Sequence, residues 1–284
     1  ETEVQMQIRS AAKWIAVAAG ILVGAVIVGF TLKDTTYIEA KLEQIKGARQ
    51  SVTAVEKTTA KTQKIKTVET VKETPLPESS CISDFEFAGQ MPELPTGCEI
   101  TSLTMVLNYY GYSADKMTMA LEYLPTVGWT NTYYGDNETL YGNDIYNYFI
   151  GNPQSETDGL SCGAGAIVTA ADGYLADNGS AMKAEDETGS EPEQLYRFVS
   201  EGTPVVVWGT IGMEERQTME SWSTEDGREV GWAMNDHCVV LIGYSADSVT
   251  VADPIEGIVS YNRAQFESAF RSRGNQCVIL KNVQ

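Results

Sequence analysis

Two residues far apart in the chain carry the side chains that thiol catalysis requires. Cys98 follows Pro95-Thr96-Gly97, which predicts a turn, and it opens a stretch with helical spacing of apolar residues. His237 is the only histidine among 284 residues, so any thiol in the chain has one imidazole available as its base. At a helix N-terminus the dipole is expected to lower the pKa of the Cys98 thiol. The small Gly97 is also expected to let a substrate backbone approach closely.

An acid and an amide complete the candidate constellation. Asp253 ends a predicted strand that pairs with the strand after His237, through a turn centred on Asp247. This places Asp253 beside His237, whereas Asp236 precedes it and should point to the opposite face. Gln90 lies eight residues before Cys98 and is suited to donate to an oxyanion, together with the Cys98 backbone N–H. Taken singly, each of these residues is more often structural; only their combination favours catalysis.

The elements that must position these residues follow from periodicity and turn signals. Helical spacing precedes β-branched runs along the chain, which predicts an α+β fold with an antiparallel sheet. Helices are predicted over 101–110, 113–123, 164–178, 191–201 and 262–270, and strands over 204–208, 238–244, 248–252 and 277–280.

The N-terminal part predicts a membrane anchor. After a short tail (1–13), residues 14–32 form a 19-residue run without charge, long enough to span a bilayer as one transmembrane helix. Basic residues are more numerous after this run than before it, which is opposite to the usual rule. Long domains can translocate regardless of such charges, so the expectation is a single-pass protein of the cell membrane with its globular domain extracellular.

The anchor and the segment after it suggest an arrangement at the cell surface. Ala16, Gly20 and Gly24 recur every four residues and are compatible with a weak homodimer through the transmembrane helix. Residues 33–81 are rich in Lys, Thr and Glu and end in prolines, which predicts a stalk or linker. Residues 82–284 are then the globular domain.

Charge and cysteine content exclude several classes of function. Residues 82–284 hold 9 basic and 30 acidic side chains, so binding of nucleic acid is not expected. One histidine and no CxxC spacing predict no metal site, and no cofactor motif is present. Cys81, Cys162, Cys238 and Cys277 could pair in an oxidising exterior, but Cys238 and Cys277 lie in predicted core strands and fit buried reduced thiols equally well. The aromatic stretch 128–151 fits either a substrate groove or an ordinary surface loop.

Several motifs occur in the same order along this chain as in a known family of peptidases. The domain resembles outlying members of the bacteriocin-processing (double-glycine leader) cysteine peptidases, from about Glu86 to Leu280. The motifs that carry this likeness are Gln90 with Glu93–Glu99, then 107–112, 148–153, 201–208, 236–244 and 251–254. The resemblance implies a papain-like fold with Cys98 as nucleophile, His237 as base, Asp253 as orienting acid and Gln90 in the oxyanion hole.

The sequence therefore predicts a membrane-anchored, papain-like cysteine peptidase that acts on peptide or isopeptide bonds of a peptide or protein substrate. Two alternatives stay open. The same acyl-enzyme chemistry with an amine acceptor would make a thiol-dependent transferase, and loss of activity would leave a surface-binding module with the same fold.

Overall fold

The computed structural model describes residues 75–128, 133–135 and 139–282. The predicted tail and transmembrane helix, the homodimer contact within that helix and most of the stalk lie outside these ranges. Among the described residues, no helix has the length and apolar character needed to cross a bilayer.

The described part of the chain has five α-helices, and the first of them begins at Cys98. They are α1 (Cys98–Tyr109), α2 (Lys116–Thr118, continued by a π-helical turn over Met119–Tyr123), α3 (Ala164–Asp177), α4 (Pro192–Ser200) and α5 (Arg263–Ser272), with a 3-10 turn at Ile211–Met213.

The described part of the chain has thirteen strands, and several of them are only two residues long. They are β1 (Ser80–Cys81), β2 (Thr126–Val127), β3 (Tyr133–Tyr134), β4 (Leu140–Tyr141), β5 (Phe149–Ile150), β6 (Met182–Asp186), β7 (Val205–Thr210), β8 (Thr218–Ser223), β9 (Glu229–Ala233), β10 (Asp236–Tyr244), β11 (Ser248–Asp253), β12 (Gly257–Asn262) and β13 (Cys277–Asn282).

The main sheet has the order β12-β11-β10-β7-β13-β6, and β1 also pairs with β10. All of these pairings are antiparallel. The β-branched run of β7 is buried along its whole length, as is nearly all of β10, which is typical of central strands. The sheet therefore holds His237 on a central strand, with the end of β11 beside it.

Helix α1 is anchored to that central strand. It is buried from Cys98 to Leu107, and the Ser102 hydroxyl donates to the Cys238 carbonyl oxygen at 3.3 Å. Trp208 on β7 is fully buried, and its indole N–H donates to the Cys162 carbonyl oxygen at 2.7 Å. These contacts join α1, the start of α3 and the sheet into one core, which brings the nucleophile's helix to the base's strand.

A second sheet lies in segments that the periodicity did not resolve. Its order is β3-β4-β8-β9, so part of the aromatic stretch 128–151 pairs with a hairpin more than seventy residues later. Trp222, on strand β8 of this sheet, is buried and donates its indole N–H to the Asn143 carbonyl oxygen at 2.8 Å. The described part of the aromatic stretch is thus neither a simple surface loop nor a lining of the cleft beside Cys98.

Most predicted elements lie where expected, with ends that differ by one to three residues. The helix predicted to open at Cys98, with its apolar spacing over 101–110, does begin at Cys98, and strand 238–244 begins two residues earlier, at Asp236. Residues ahead of Ile82 also belong to the folded domain, since β1 pairs with β10 and the Tyr244 hydroxyl donates to the Pro77 carbonyl oxygen at 3.1 Å. The folded part therefore begins before the predicted boundary at residue 82.

Candidate active site

Cys98 is the first residue of α1, and Gly97 is its N-cap without a side-chain cap. A Cβ at Gly97 would lie 2.9 Å from the Leu94 Cβ, too close for any other residue without a shift. The glycine is therefore required by packing of its own turn, which the expectation of substrate approach did not include. As a first helical residue, Cys98 has a backbone N–H with no acceptor inside the helix.

His237 and Asp253 form a buried hydrogen-bonded pair. The His237 Nε2 lies 2.8 Å from the Asp253 Oδ1, and the two residues are 3% and 1% exposed. Asp253 also accepts from the backbone N–H of Ile255 at 2.9 Å and from the Tyr261 hydroxyl at 3.3 Å. This geometry fixes both the position of the imidazole ring and the orientation of the carboxylate.

Asp253 stays ionised in spite of its burial. Burial alone raises the pKa of this carboxyl, but the hydrogen bond and charge of His237 and the amides of Ile255 and Glu256 hold the pKa below its ordinary value. An ionised carboxylate can only accept, so Nε2 carries a hydrogen, and Nδ1 is the ring nitrogen left to exchange a proton with the thiol.

Asp236 is occupied elsewhere, as its place on the strand predicted. Its carboxylate accepts from Arg216 Nε at 2.8 Å and from the Ala233 backbone N–H at 3.1 Å, and it lies 3.1 Å from Arg273 Nη1. Arg273 is itself buried. These contacts fix the position of the first residue of β10, directly before His237.

Cys98 and His237 line the same cavity, of about 280 Å³. Cys98 is 8% exposed, whereas Cys162, Cys238 and Cys277 are fully buried. Of these four thiols, Cys98 is the one that borders the cavity containing the imidazole.

The expected lowering of the Cys98 pKa is wrong for this structure. Burial raises the pKa of the thiol well above its ordinary value, the carboxyl of Glu99 and the thiol of Cys238 raise it further, and the hydrogen bond from the Cys238 backbone only partly offsets them. Desolvation of the charged form outweighs the dipole of α1, because the sulfur is packed inward.

Gln90 lines the cavity, but its amide is engaged. It is 2% exposed, and its Nε2 donates to the carbonyl oxygens of Leu94 at 3.1 Å and Pro95 at 2.8 Å. Both amide hydrogens are used in this way, while Oε1 is buried without a hydrogen-bond partner among the described residues. Donation to an oxyanion therefore requires the amide to turn away from these carbonyls.

The outer walls of the cleft are mainly apolar. Ile211, Met234 and Ile255 line it and are 44%, 65% and 45% exposed, and Trp232 and Leu160 add further apolar surface. Exposed apolar side chains around a nucleophile are typical of a cleft that binds apolar parts of a ligand.

Sequence reasoning missed two parts of this site. The Trp232–Met234 wall comes from the end of the β8–β9 hairpin, whose pairing was not predicted. Glu99 is the other, because a glutamate one residue into a helix usually faces solvent. Here it is 1% exposed and accepts from the Ser161 hydroxyl and the Cys162 backbone N–H.

No cysteine is in a disulfide: Cys81 is exposed, and the other four are buried and free. The structure therefore has Cys81, Cys162, Cys238 and Cys277 as unpaired thiols and not as disulfides.

Comparison with known proteins gives this arrangement its family. Residues 82–278, most of the chain, match the model of the Peptidase_C39 like family. The chain belongs to this family. The fold is accordingly the mixed α/β, papain-like fold of C39-like peptidases, as the resemblance had implied.

Two relatives support the membership at the level of sequence and fold. The uncharacterized protein YvpB of Bacillus subtilis (strain 168) is 32% identical over 192 residues, which are 67% of this chain and 71% of YvpB. A Bacillus anthracis protein, solved as a candidate C39-like peptidase, is 32% identical with a TM-score of 0.63, covering 73% of this C39-like chain and all of its own. The peptidase domain of Streptococcus ComA covers 70% of this chain and 99% of its own, but at 13% identity and a TM-score of 0.40 it is too distant to support an argument.

Proposed function

We propose that this C39-like protein is a cysteine peptidase that hydrolyses peptide or isopeptide bonds. The observation that carries the proposal is the placement of Cys98, at the start of α1, on the same cavity as an imidazole already oriented by Asp253. Because Nε2 is bound to Asp253, Nδ1 would take the thiol proton as the sulfur attacks the carbonyl carbon. The protonated His237 would then return that proton to the leaving amine, and water would release the acyl group.

The substrate class follows from the walls of the cleft. Ile211, Met234 and Ile255 offer apolar contact around the nucleophile, and Glu156 is the exposed acid on the lining. We infer an extended peptide segment with apolar side chains next to the scissile bond. The finer resemblance, to bacteriocin-processing peptidases, makes a double-glycine leader peptide one substrate to include in the assay.

The membrane tether belongs to the same proposal and rests on sequence alone. An uncharged run over 14–32 followed by a Pro-ending linker would hold the domain at the outer surface of the cell membrane. Peptides of the exterior would then be the accessible substrates.

A labelling experiment tests the proposed pair without a known substrate. We expect a peptidyl vinyl sulfone to modify Cys98, and His237→Ala to slow this modification at least about 100-fold, because general acid–base transfer contributes roughly 10²–10⁴-fold. Mass spectrometry of the labelled peptides measures the rate at each cysteine. Exposed Cys81 is the internal reference, since it lies outside the cleft. Modification of Cys98 that is indifferent to His237 would contradict the catalytic pair and favour a binding module.

Gln90 is the proposed second oxyanion donor, beside the Cys98 backbone N–H. We expect Gln90→Ala to lower kcat by roughly 10²-fold with KM little changed, because the donor is needed only when negative charge develops on the carbonyl oxygen. Steady-state hydrolysis of a fluorogenic peptide measures both constants.

The control for Gln90 separates amide donation from the position of its loop. Lys116 Nζ donates to the carbonyl oxygens of Gly89 and Gln90, at 2.6 and 3.1 Å. Lys116→Met loosens the same loop but leaves the amide in place. A fall in kcat as large for Lys116→Met as for Gln90→Ala would assign the effect to loop position instead.

A further inference from the structure

Two carboxylates line the cleft that contains Cys98, and they differ in whether a cation already pairs with them. Asp236 is buried and paired with Arg216 at 2.8 Å and with Arg273 at 3.1 Å. Glu156 is exposed and has no ion pair with another described residue. No Lys or Arg is among the described residues that line the cleft. The cleft therefore presents one acid without a cation to an incoming ligand.

The loop that carries Glu156 is fastened to the turn of the nucleophile. Thr96 lies two residues before Cys98, and its hydroxyl donates to the carbonyl oxygens of Pro153 and Ser155, each at 3.3 Å. The Thr96 backbone N–H donates to the Pro153 carbonyl oxygen, also at 3.3 Å. The backbone residue directly before Glu156 is thus bound to the turn that leads into Cys98.

The part of the loop that follows is held as well. The Ser155 Oγ accepts from the backbone N–H of Thr157 at 3.3 Å and of Asp158 at 3.0 Å. A Cβ at Gly159 would overlap the Thr96 Oγ1, so the loop approaches the turn more closely than any side chain would allow. A loop fixed on both sides holds its acid at the rim of the cleft before a ligand arrives, which lowers the entropic cost of binding.

The charge of the whole domain acts in the same direction. Residues 82–284 hold 9 basic and 30 acidic side chains, so the domain attracts cationic peptides and repels anionic ones. The exposed apolar side chains of Ile211 and Met234 line the same cleft. The cleft thus combines apolar surface with a single acid at one place on its rim.

We propose that Glu156 selects substrates that carry a basic side chain, Lys or Arg, within a few residues of the scissile bond. This inference rests on the proposed function and adds the chemistry of one further subsite. The ammonium or guanidinium group would pair with the Glu156 carboxylate, while apolar residues of the same peptide contact Ile211 and Met234. An acidic residue at that place would meet a carboxylate and no cation.

The test is a binding measurement that does not depend on hydrolysis. Protein with Cys98→Ala is titrated with fluorescent apolar peptides in which one lysine occupies each position in turn. Each peptide is paired with its Nε-acetyl-lysine counterpart, which keeps the stem and removes the charge. At one or two neighbouring positions we expect lysine to lower Kd about two- to fivefold relative to acetyl-lysine, the size of one exposed ion pair.

Glu156→Gln should abolish this preference and leave Kd for the acetyl-lysine peptides within about twofold. Salt at about 1 M should abolish it in the protein that retains Glu156, because an exposed pair is screened. The substitution is at an exposed position of a surface loop, so the fold should be retained. A lysine preference that persists unchanged in Glu156→Gln would overturn the inference.

Asp158→Asn is the matched control. Asp158 is exposed in the same loop but does not line the cleft, and this change removes the same unit of charge two residues from Glu156. We expect Asp158→Asn to keep the lysine preference at the same position. If it loses as much of the preference as Glu156→Gln does, the overall charge of the domain is responsible, and the inference is overturned.

The outcomes separate this inference from the proposed function. Failure of lysine to tighten binding at any position overturns the basic subsite, even where His237→Ala slows vinyl sulfone labelling and so upholds the peptidase. Labelling that is indifferent to His237 overturns the peptidase. A lysine preference that Glu156→Gln removes would in that case still support the subsite, as the ligand site of a binding module.

Discussion

Cys98→Ala is expected to lower kcat for peptide hydrolysis by at least about 10⁴-fold. The reason is that the acyl-enzyme cannot form without the sulfur, and no other thiol borders the cavity that His237 lines among the described residues. The measurement is hydrolysis of a fluorogenic peptide library with apolar residues around the scissile bond, followed by mass spectrometry of the products.

Two comparisons make this result interpretable. Cys81→Ala changes an exposed thiol outside the cleft and should leave kcat within about twofold of wild type. A second assay with an added amine acceptor distinguishes hydrolysis from transfer, since a product that carries the amine identifies the transferase. Wild-type rates retained by Cys98→Ala would exclude thiol catalysis at this position.

The sequence was informative where periodicity and residue rarity coincide. A single histidine left no choice of base, and the β-branched runs that became β7, β10 and β11 placed Asp253 beside it. Apolar spacing likewise located α3 and α4, because each buries one continuous face, and it located α1, which is buried on all sides from Cys98 to Leu107. These are local patterns, and they determined both the elements and the direction in which Asp236 and Asp253 point.

Tertiary contacts determined what the sequence left open. Strands β4 and β8 lie far apart in the chain and pair at one position, so nothing local predicts their parallel pairing or the Trp232–Met234 wall. The inward turn of Glu99 depends on Ser161 and Cys162, more than sixty residues later. The dipole argument for Cys98 failed for the same reason, since burial is a property of the assembled core and outweighs a local effect.

Substitutions of Asp253 can separate the effect of its negative charge from the effect of its hydrogen bonds. The Oδ1 atom alone accepts from His237 Nε2, from the Ile255 N–H at 2.9 Å and from the Glu256 N–H at 3.4 Å. Asp253→Asn can keep an amide oxygen at this position, because two backbone N–H groups there require an acceptor. The imidazole then keeps its Nε2 hydrogen, and only the carboxylate charge that stabilises the protonated ring is lost.

We therefore expect Asp253→Asn to lower kcat by about 10- to 100-fold, the equivalent of roughly 1.5–3 kcal/mol for a hydrogen bond to a charged group. Asp253→Ala should lower kcat by more than about 10³-fold, since the ring loses its orientation. It should also lower the free energy of unfolding by at least about 3 kcal/mol, because several buried donors lose their acceptor together. Steady-state kinetics and chemical denaturation measure the two effects.

The pH dependence of stability gives an independent check on the charge. The folded-state pKa of Asp253 lies below its ordinary value, so its contribution to stability is present above about pH 4 and is lost as pH falls through the folded value. Asp253→Asn should lack this part of the acid transition. Equal losses of kcat in Asp253→Asn and Asp253→Ala would contradict the argument from Oδ1. Retention of the His237 tautomer with its hydrogen on Nε2 would then contribute nothing to kcat.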